Sequence, residues 1–444
     1  MRLRNLNLTG IGSIEEIKTR VAKTASTRPK GAWILGGGWD HEKLQEQRYP
    51  NTHDLDEATS NPVFLRRICG HVAVANTPAL STFRIDRNTP DPEGGVIVKD
   101  HHGDPTGILK EKAIDHVQEF IPRNEKETRA ALVSASRRLV RFGLTSLQCI
   151  IEDVEEFRAI RNLKDEGKIP QSIYAIMPSS LVDHLVSSGL STEKGGATLR
   201  VGGLKVYLDG SLGARTAALN DVYSDDPTSS GMLTLTHDQL SELSIKARKA
   251  RFQLSIHAIG DRAVEMAIKI LEEIFGPRDC RRLRHRIEHS SLLSPRLISK
   301  MRKLGLVASV QPRFIYSDSW ASRRLGLSRA RYLYPFSSMV RAGIPIAAGS
   351  DSPVEDPNPL EGIWSAVVRP GSAYPEERLT VDQALAGYTT GASFASFSED
   401  ARGTLEPGSA ADMVVLNNDP FESRPDDLRR IRVVCTIIGG EVVA

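Results

Sequence analysis

Between residues 144 and 353, seven short apolar runs are separated by stretches of helical period, and this alternation constrains the chain more than any other feature. The runs are "LTSLQCI" (144–150), "SIYAIMP" (172–178), "RVGGLKVYLDG" (200–210), "FQLSIHAIG" (252–260), "HRIEHS" (285–290), "LGLVASVQP" (304–312) and "GIPIAAGSDSP" (343–353). "EKETRAALVSASRRLVRFG" (125–143) precedes them, with apolar residues at helical spacing and Gly143 placed as a C-cap. "THDQLSELSIKARKA" (236–250) opens on a Thr236/Gln239 capping box, and "RAVEMAIKILEEIF" (262–275) follows the fourth run. Strands alternating with helices read as βα units around a parallel sheet. A closed eight-stranded barrel needs one strand more, and residues 1–143 hold no clean candidate for it.

Two regions break this rhythm. Residues 30–125 are rich in Pro, Gly and Asp, with strand-like runs such as "GAWILGGGW" and "GGVIVKD", and read as an inserted subdomain. Near the carboxyl end, "ADMVVLNNDP" (411–420) and "RVVCTIIGGEVVA" (432–444) alternate apolar and polar residues, as a small separate β-structure does. The expected division is therefore 1–29, an inserted subdomain over 30–125, a barrel over 126–400, and β-strands over 401–444.

With 444 residues and a formal charge of +3, the chain carries no strongly basic footprint, and nucleic acid is not an expected partner. Its densest basic run, "RRLRHR" (281–286), reads as a solvated loop or helix end. Four widely spaced cysteines without a CxxC pair read as reduced residues of a cytoplasmic protein. No run has the ~20 apolar residues of a spanning helix, so a membrane is not expected either.

Ionisable residues collect at the ends of the strand-like runs. In "FQLSIHAIG", Phe252, Leu254 and Ile256 share one face, while Gln253, Ser255 and His257 share the other. His289 closes "RIEH", and Asp351 follows "IPIAAGS". Lys205 lies on the parity of Gly203, Tyr207 and Asp209. Carboxyl ends of parallel strands are where βα-loop sites are built. Each residue also has a plainer reading: a packed histidine, an N-cap aspartate, a snorkelling lysine. Together, two histidines, a lysine and an aspartate match ligands for divalent zinc, iron or manganese. Such an ion lowers the pKa of bound water towards ~7, and a nearby carboxylate can move its proton.

With "KVYLDGSLGARTA" around Lys205, "SIHAIGDRA", "RIEHSS", "SVQP" and "GSDSPV", the chain resembles the amidohydrolase superfamily, in its amidohydrolase 3 branch of metal-dependent hydrolases and N-substituted formamide deformylases. "GGGWDHE" (36–42), "RRICGHVAVANTPAL" (66–80), "DPTGILKE" (104–111), "FGLTSLQ" (142–148), "GTLEPGSAADMVVLNNDPF" (403–421) and "IGGEVV" extend the likeness over nearly the whole chain. The resemblance implies an α/β fold, a distorted (β/α)8 TIM barrel with a small β-sandwich. It implies that Lys205, His257, His289 and Asp351 hold a divalent metal, zinc first. Asp351 would also be the general base, and Trp39, Asp40, His71, Arg215 and Gln311 would line the substrate cavity. The implied reaction is hydrolysis of a non-peptide C–N bond in a small amide or formamide, and a homodimer is compatible with it.

One departure stands out. The family's first barrel strand ends in His-x-His, and no His-x-His occurs in this sequence; Gln148 stands where relatives often carry a histidine. A barrel lacking that strand is expected to have two unpaired edges, and the carboxy-terminal strands are expected to lack sandwich partners. The remaining donors would hold one metal at most. A start assigned too late and a truncated, catalytically impaired homologue both account for this.

Overall fold

The computed structural model describes residues 6–117, 120–121, 124–192, 196–371 and 374–444. The chain divides into two compact units, Met1–Ala131 and Leu132–Ala444.

The first unit is built on a six-stranded mixed sheet. Its strands are β1 (Leu6–Asn7), β2 (Ile34–Trp39), β3 (Val63–Arg67), β4 (Val72–Ala75), β5 (Gly95–Lys99) and β6 (Pro105–Glu111), in the order β1-β2-β3-β4-β6-β5. The runs "GAWILGGGW" and "GGVIVKD" supply β2 and β5. The expected boundary at residue 29 is not present. Strand β1 pairs in parallel with β2, and the helix Ile14–Ala25 buries Ile14, Ile17 and Val21. Residues 6–29 are thus part of this sheet unit: a two-residue strand and one amphipathic helix have too little apolar surface to stand alone.

The second unit holds all seven expected strands: β7 (Ser146–Ile150), β8 (Ser172–Pro178), β9 (Leu199–Tyr207), β10 (Gln253–Ala258), β11 (Arg286–His289), β12 (Val307–Val310) and β13 (Ile346–Ala348). They form one parallel sheet in sequence order, β7 to β13, a curled half-barrel. Leu254 and Ile256 of β10 are fully buried on the helix side, as their parity requires. Helix Asp261–Ile274 returns against the sheet through Val264, Ala267, Ile268 and Leu271, an i, i+3, i+4, i+7 stripe. Each such side chain contributes roughly 1.5–3 kcal/mol by leaving water. The Thr236/Gln239 capping box forms reciprocally, with Thr236 Oγ1 accepting from Gln239 N at 3.2 Å and Gln239 Oε1 from Thr236 N at 2.9 Å.

The two outer strands differ from the rest. The five central strands are almost wholly buried, whereas Ser146 and Ile150 of β7 are exposed, and Ile346 and Ala348 of β13 are half-buried. An eighth strand is not found among the described residues, as the missing His-x-His segment led us to expect.

Strands β14 (Met413–Leu416), β15 (Val433–Ile438) and β16 (Glu441–Val442) make a three-stranded antiparallel sheet. Buried Thr436 donates to Val140 O at 2.8 Å and pins one face to the helix Glu125–Arg141. Gly143, at φ +79°, lies under Val414; a Cβ there would stand 2.9 Å from Val414 Cγ1. The opposite face pairs Met413 with Ile437, Val415 with Cys435 and Ile437 with Val442, and Met413, Val415 and Val442 are exposed.

The run "RRLRHR" does not stay together. Arg281 and Arg282 are exposed on the helix Gly276–Leu283, but His285 and Arg286 are buried because β11 begins there. His285 Nδ1 accepts the Leu254 N–H at 2.9 Å, and its ring meets Phe275 edge-on at 4.1 Å. Burial pushes its pKa down to about 3 from an ordinary value of 6.5. On acidification the unfolded chain therefore binds this proton first. The stability from neutral His285 is complete above about pH 6.5 and is lost as pH falls towards 3. Urea unfolding should show this group removing on the order of 1 kcal/mol per pH unit across that window. His285→Gln should flatten the slope, and an unchanged slope would assign the acid sensitivity to other groups.

Candidate functional site

The sheet of the second unit presents a polar face opposite its helix-packed face. On that face Tyr174 Oη donates to Gln253 Oε1 at 2.9 Å. Arg286 Nη1 donates to Gln148 Oε1, and its Nη2 donates to Ser309 Oγ at 2.9 Å. Arg286 Nε stands 2.8 Å from Glu288 Oε1. Burial works to raise the Glu288 pKa, but Arg286 and Lys205 outweigh it and hold the carboxyl below its usual range.

Lys205 of β9 is level with Ser255 and Arg286 and is 3 % exposed. Burial holds its ammonium below the usual lysine range, against the opposing pull of Glu288, Asp351 and Asp209. A buried lysine with a weakened proton is the state in which the amine can act as a nucleophile or accept a carboxyl group.

His257 and His289 face each other edge to face, with ring centroids 4.4 Å apart. His289 reaches this position by leaving strand geometry. Alternation from Ile287 would turn it towards the helices, but its φ of +73° breaks the alternation and brings the ring to His257. Each imidazole is anchored through one nitrogen. His257 Nε2 donates to Gly210 O at 3.0 Å, and His289 Nδ1 donates to Gln311 Oε1 at 2.7 Å. Both acceptors lack a hydrogen to give, so each ring nitrogen named carries the proton and the tautomers are set. Metal-ligating histidines are oriented in the same manner, the second nitrogen being the donor.

Asp209, fully buried, ties this arrangement together. Its Oδ1 accepts from Ile259 N at 3.0 Å and stands 3.4 Å from His257 Nε2. Its Oδ2 accepts from Gly260 N at 2.8 Å and Ala218 N at 2.9 Å. Gly260 is required here, since a Cβ would sit 2.0 Å from Ala218 O.

Asp351 follows β13 at φ +54°, within electrostatic reach of Lys205. Non-glycine residues at positive φ store of order 1–3 kcal/mol and cluster at functional sites; His289 and Asp351 both do so here. Arg215, also at positive φ, is held by Asp225, with Nη2 to Oδ2 at 3.0 Å, and fully buried Arg324 shares that carboxylate. Gln311, expected in the cavity wall, instead orients His289. Trp39, Asp40 and His71 belong to the first unit. Trp39 is fully buried and donates to Leu65 O at 3.2 Å, which makes it a core residue rather than a cavity wall. Asp40 pairs with Arg67 at 2.5 Å, and His71 with Glu111 at 2.8 Å.

The site residues that sequence reasoning passed over are Arg286 and Glu288, with Asp209 noted only for its parity. Two charges at i and i+2 in a strand buried on both faces were the available signal.

The sequence profile of the amidohydrolase family matches residues 1–444. The chain belongs to the amidohydrolase family. YtcJ of Bacillus subtilis (strain 168), named as an amidohydrolase, is 34 % identical over 99 % of this chain and 84 % of its own length. The crystal structure of an uncharacterized metal-dependent hydrolase from Pyrococcus horikoshii OT3 superposes with a TM-score of 0.77 at 32 % identity, covering 96 % of this chain and 84 % of the other. The N-substituted formamide deformylase of Arthrobacter pascens is 26 % identical over 97 % of this chain and 82 % of its own length.

The two imidazoles, with fixed tautomers, fit a divalent ion of the kind such hydrolases use. Among the described residues, however, no three His, Cys, Asp or Glu side chains stand close enough to hold one by themselves.

Asp209→Ala should cost on the order of 3–5 kcal/mol in urea unfolding, since it strands three buried backbone N–H groups. Asp209→Asn, which keeps one accepting oxygen, should cost less. A loss under about 1 kcal/mol for the alanine variant would mean that water replaces the carboxylate.

Proposed function

We propose that this chain hydrolyses a non-peptide C–N bond in a small amide, formamide or cyclic amide. His257, His289, Lys205 and Asp351 would hold a divalent metal, zinc ahead of iron or manganese. The observation that carries the reading is the His257–His289 pair, with one nitrogen of each ring tied to Gly210 O and Gln311 Oε1. The activity named for the Arthrobacter pascens relative supports the C–N bond class. When bound, a divalent ion lowers the pKa of water towards ~7 and polarises a carbonyl.

The chain's own residues supply the rest. Asp351, at the mouth of β13, takes the proton of the attacking water and returns it to the departing amine. Lys205, buried below, would complete the donor set from β9, most readily after its neutral amine has added carbon dioxide to give a carbamate with release of one proton to solvent. Asp209 and Gln311 keep the two imidazoles in place. None of the four cysteines forms a disulfide among the described residues, which supports a reducing, cytoplasmic setting. No helix among the described residues is long and apolar enough to cross a membrane.

A second reading, a homologue that keeps the fold without a complete metal site, is favoured by the absence of a three-residue donor group among the described residues. Metal content per chain, measured after dialysis without chelator, separates the two. One tightly held ion that is lost in His257→Ala is the outcome expected of the hydrolase; no metal supports the impaired homologue. In the metal-loaded protein, Asp351→Asn should abolish hydrolysis while retaining part of the metal. Equal turnover by that variant would remove Asp351 from the proton-transfer role.

A further inference from the structure

Four rings run in a row across the carboxyl end of the half-barrel. Tyr207 lies 5.7 Å from His257, His257 lies 4.4 Å from His289, and His289 stacks nearly parallel on Phe314 at 6.0 Å and 10°. Three of the four are buried: His257 at 1 %, His289 at 5 % and Phe314 at 8 %. Tyr207 breaks the trend at 49 %, directly after six buried residues of β9. It is also in register with His257, so its ring is fixed to the same level of the sheet. Lys205 Nζ lies over the ring, 4.7 Å from its centre.

A single exposed aromatic on a protein surface needs no explanation. This one ends a row of rings that begins in the core and passes through both site histidines. A tyrosine there offers a large, stiff, apolar face at little conformational cost. A saturated ring of the same size packs on that face only through its axial C–H groups and lacks the π-stacking contribution.

We propose that Tyr207 is a specificity-determining residue that stacks on a flat, conjugated group of the substrate, so that the site takes amides bearing an aromatic or other planar ring beside the scissile bond. This substrate class rests on the amide-hydrolase reading above, whereas the stacking role of Tyr207 rests on the ring geometry.

The test uses the full chain and two probes of similar size, N-phenylacetamide and N-cyclohexylacetamide, with affinities measured by NMR titration. Tyr207→Ala should weaken the phenyl ligand about 3- to 10-fold and leave the cyclohexyl ligand within twofold. Tyr207→Phe should keep wild-type affinity for both. Equal weakening of the two ligands would show that Tyr207 only covers Lys205, and overturns the proposal. So does an unchanged phenyl affinity, or failure of the wild-type chain to bind the phenyl probe. Hydrolysis of both probes by the metal-loaded protein is followed in parallel. Tyr207-dependent binding without turnover sinks the amide-hydrolase reading and leaves the stacking role standing. Turnover with no dependence on Tyr207 does the reverse.

Discussion

Every feature of the site depends on the parallel pairing of seven strands in sequence order. Parallel pairing places all seven carboxyl ends on one side, and the period of two gives each strand one face for the helices and one for the opposite side. Leu254 and Ile256 satisfy the first requirement, and Gln253, Ser255 and His257 fill the second. The polar residues could not gather if any strand were reversed, since its terminal side chain would then emerge at the other end of the sheet.

Within that frame, the strand ends are fixed by hydrogen bonds from loops. Asp209 accepts N–H groups from the loop after β10 and from its own loop after β9, and it sits beside His257. Gly210 and Gln311 then hold the two imidazoles from opposite sides of the pair. Backbone strain at His289 and Asp351 is tolerable because the surrounding β11–β12–β13 pairing leaves those residues little choice. The same economy does not extend to the outer strands. Ile150 of β7 and the exposed face of the β14–β16 sheet keep apolar groups in contact with water, which is an association hazard.

Much of this was legible before any coordinates. All seven barrel strands, the capping box at Thr236, the β-structure after residue 411 and the strand-end positions of Lys205, His257, His289 and Asp351 follow from period, capping and parity. That the sheet has seven strands among the described residues agrees with the missing His-x-His. The errors have specific causes. Residues 6–29 join the first unit because β1 pairs across a long intervening segment, and pairing partners are not encoded in local period. Trp39 looked like a cavity residue through likeness to relatives, while its burial depends on how β2 and β3 pack. Arg286 looked like part of a solvated basic run because charge composition carries no information about which residue starts a strand.

The sequence alone determined the fold class, since alternating periods of 2 and 3.6 can be buried together in few ways other than βα units on a parallel sheet. It also determined which side chains stand at the carboxyl ends, because where each apolar run ends is a local property. Only the tertiary structure decided how those side chains meet. The edge-to-face contact of His257 and His289, the anchoring of each ring by Gly210 and Gln311, the placing of Arg286 level with Lys205 and the packing of Tyr207 beside His257 all join residues some tens of positions apart. Their distances are set by sheet curvature and loop packing, which no local pattern specifies.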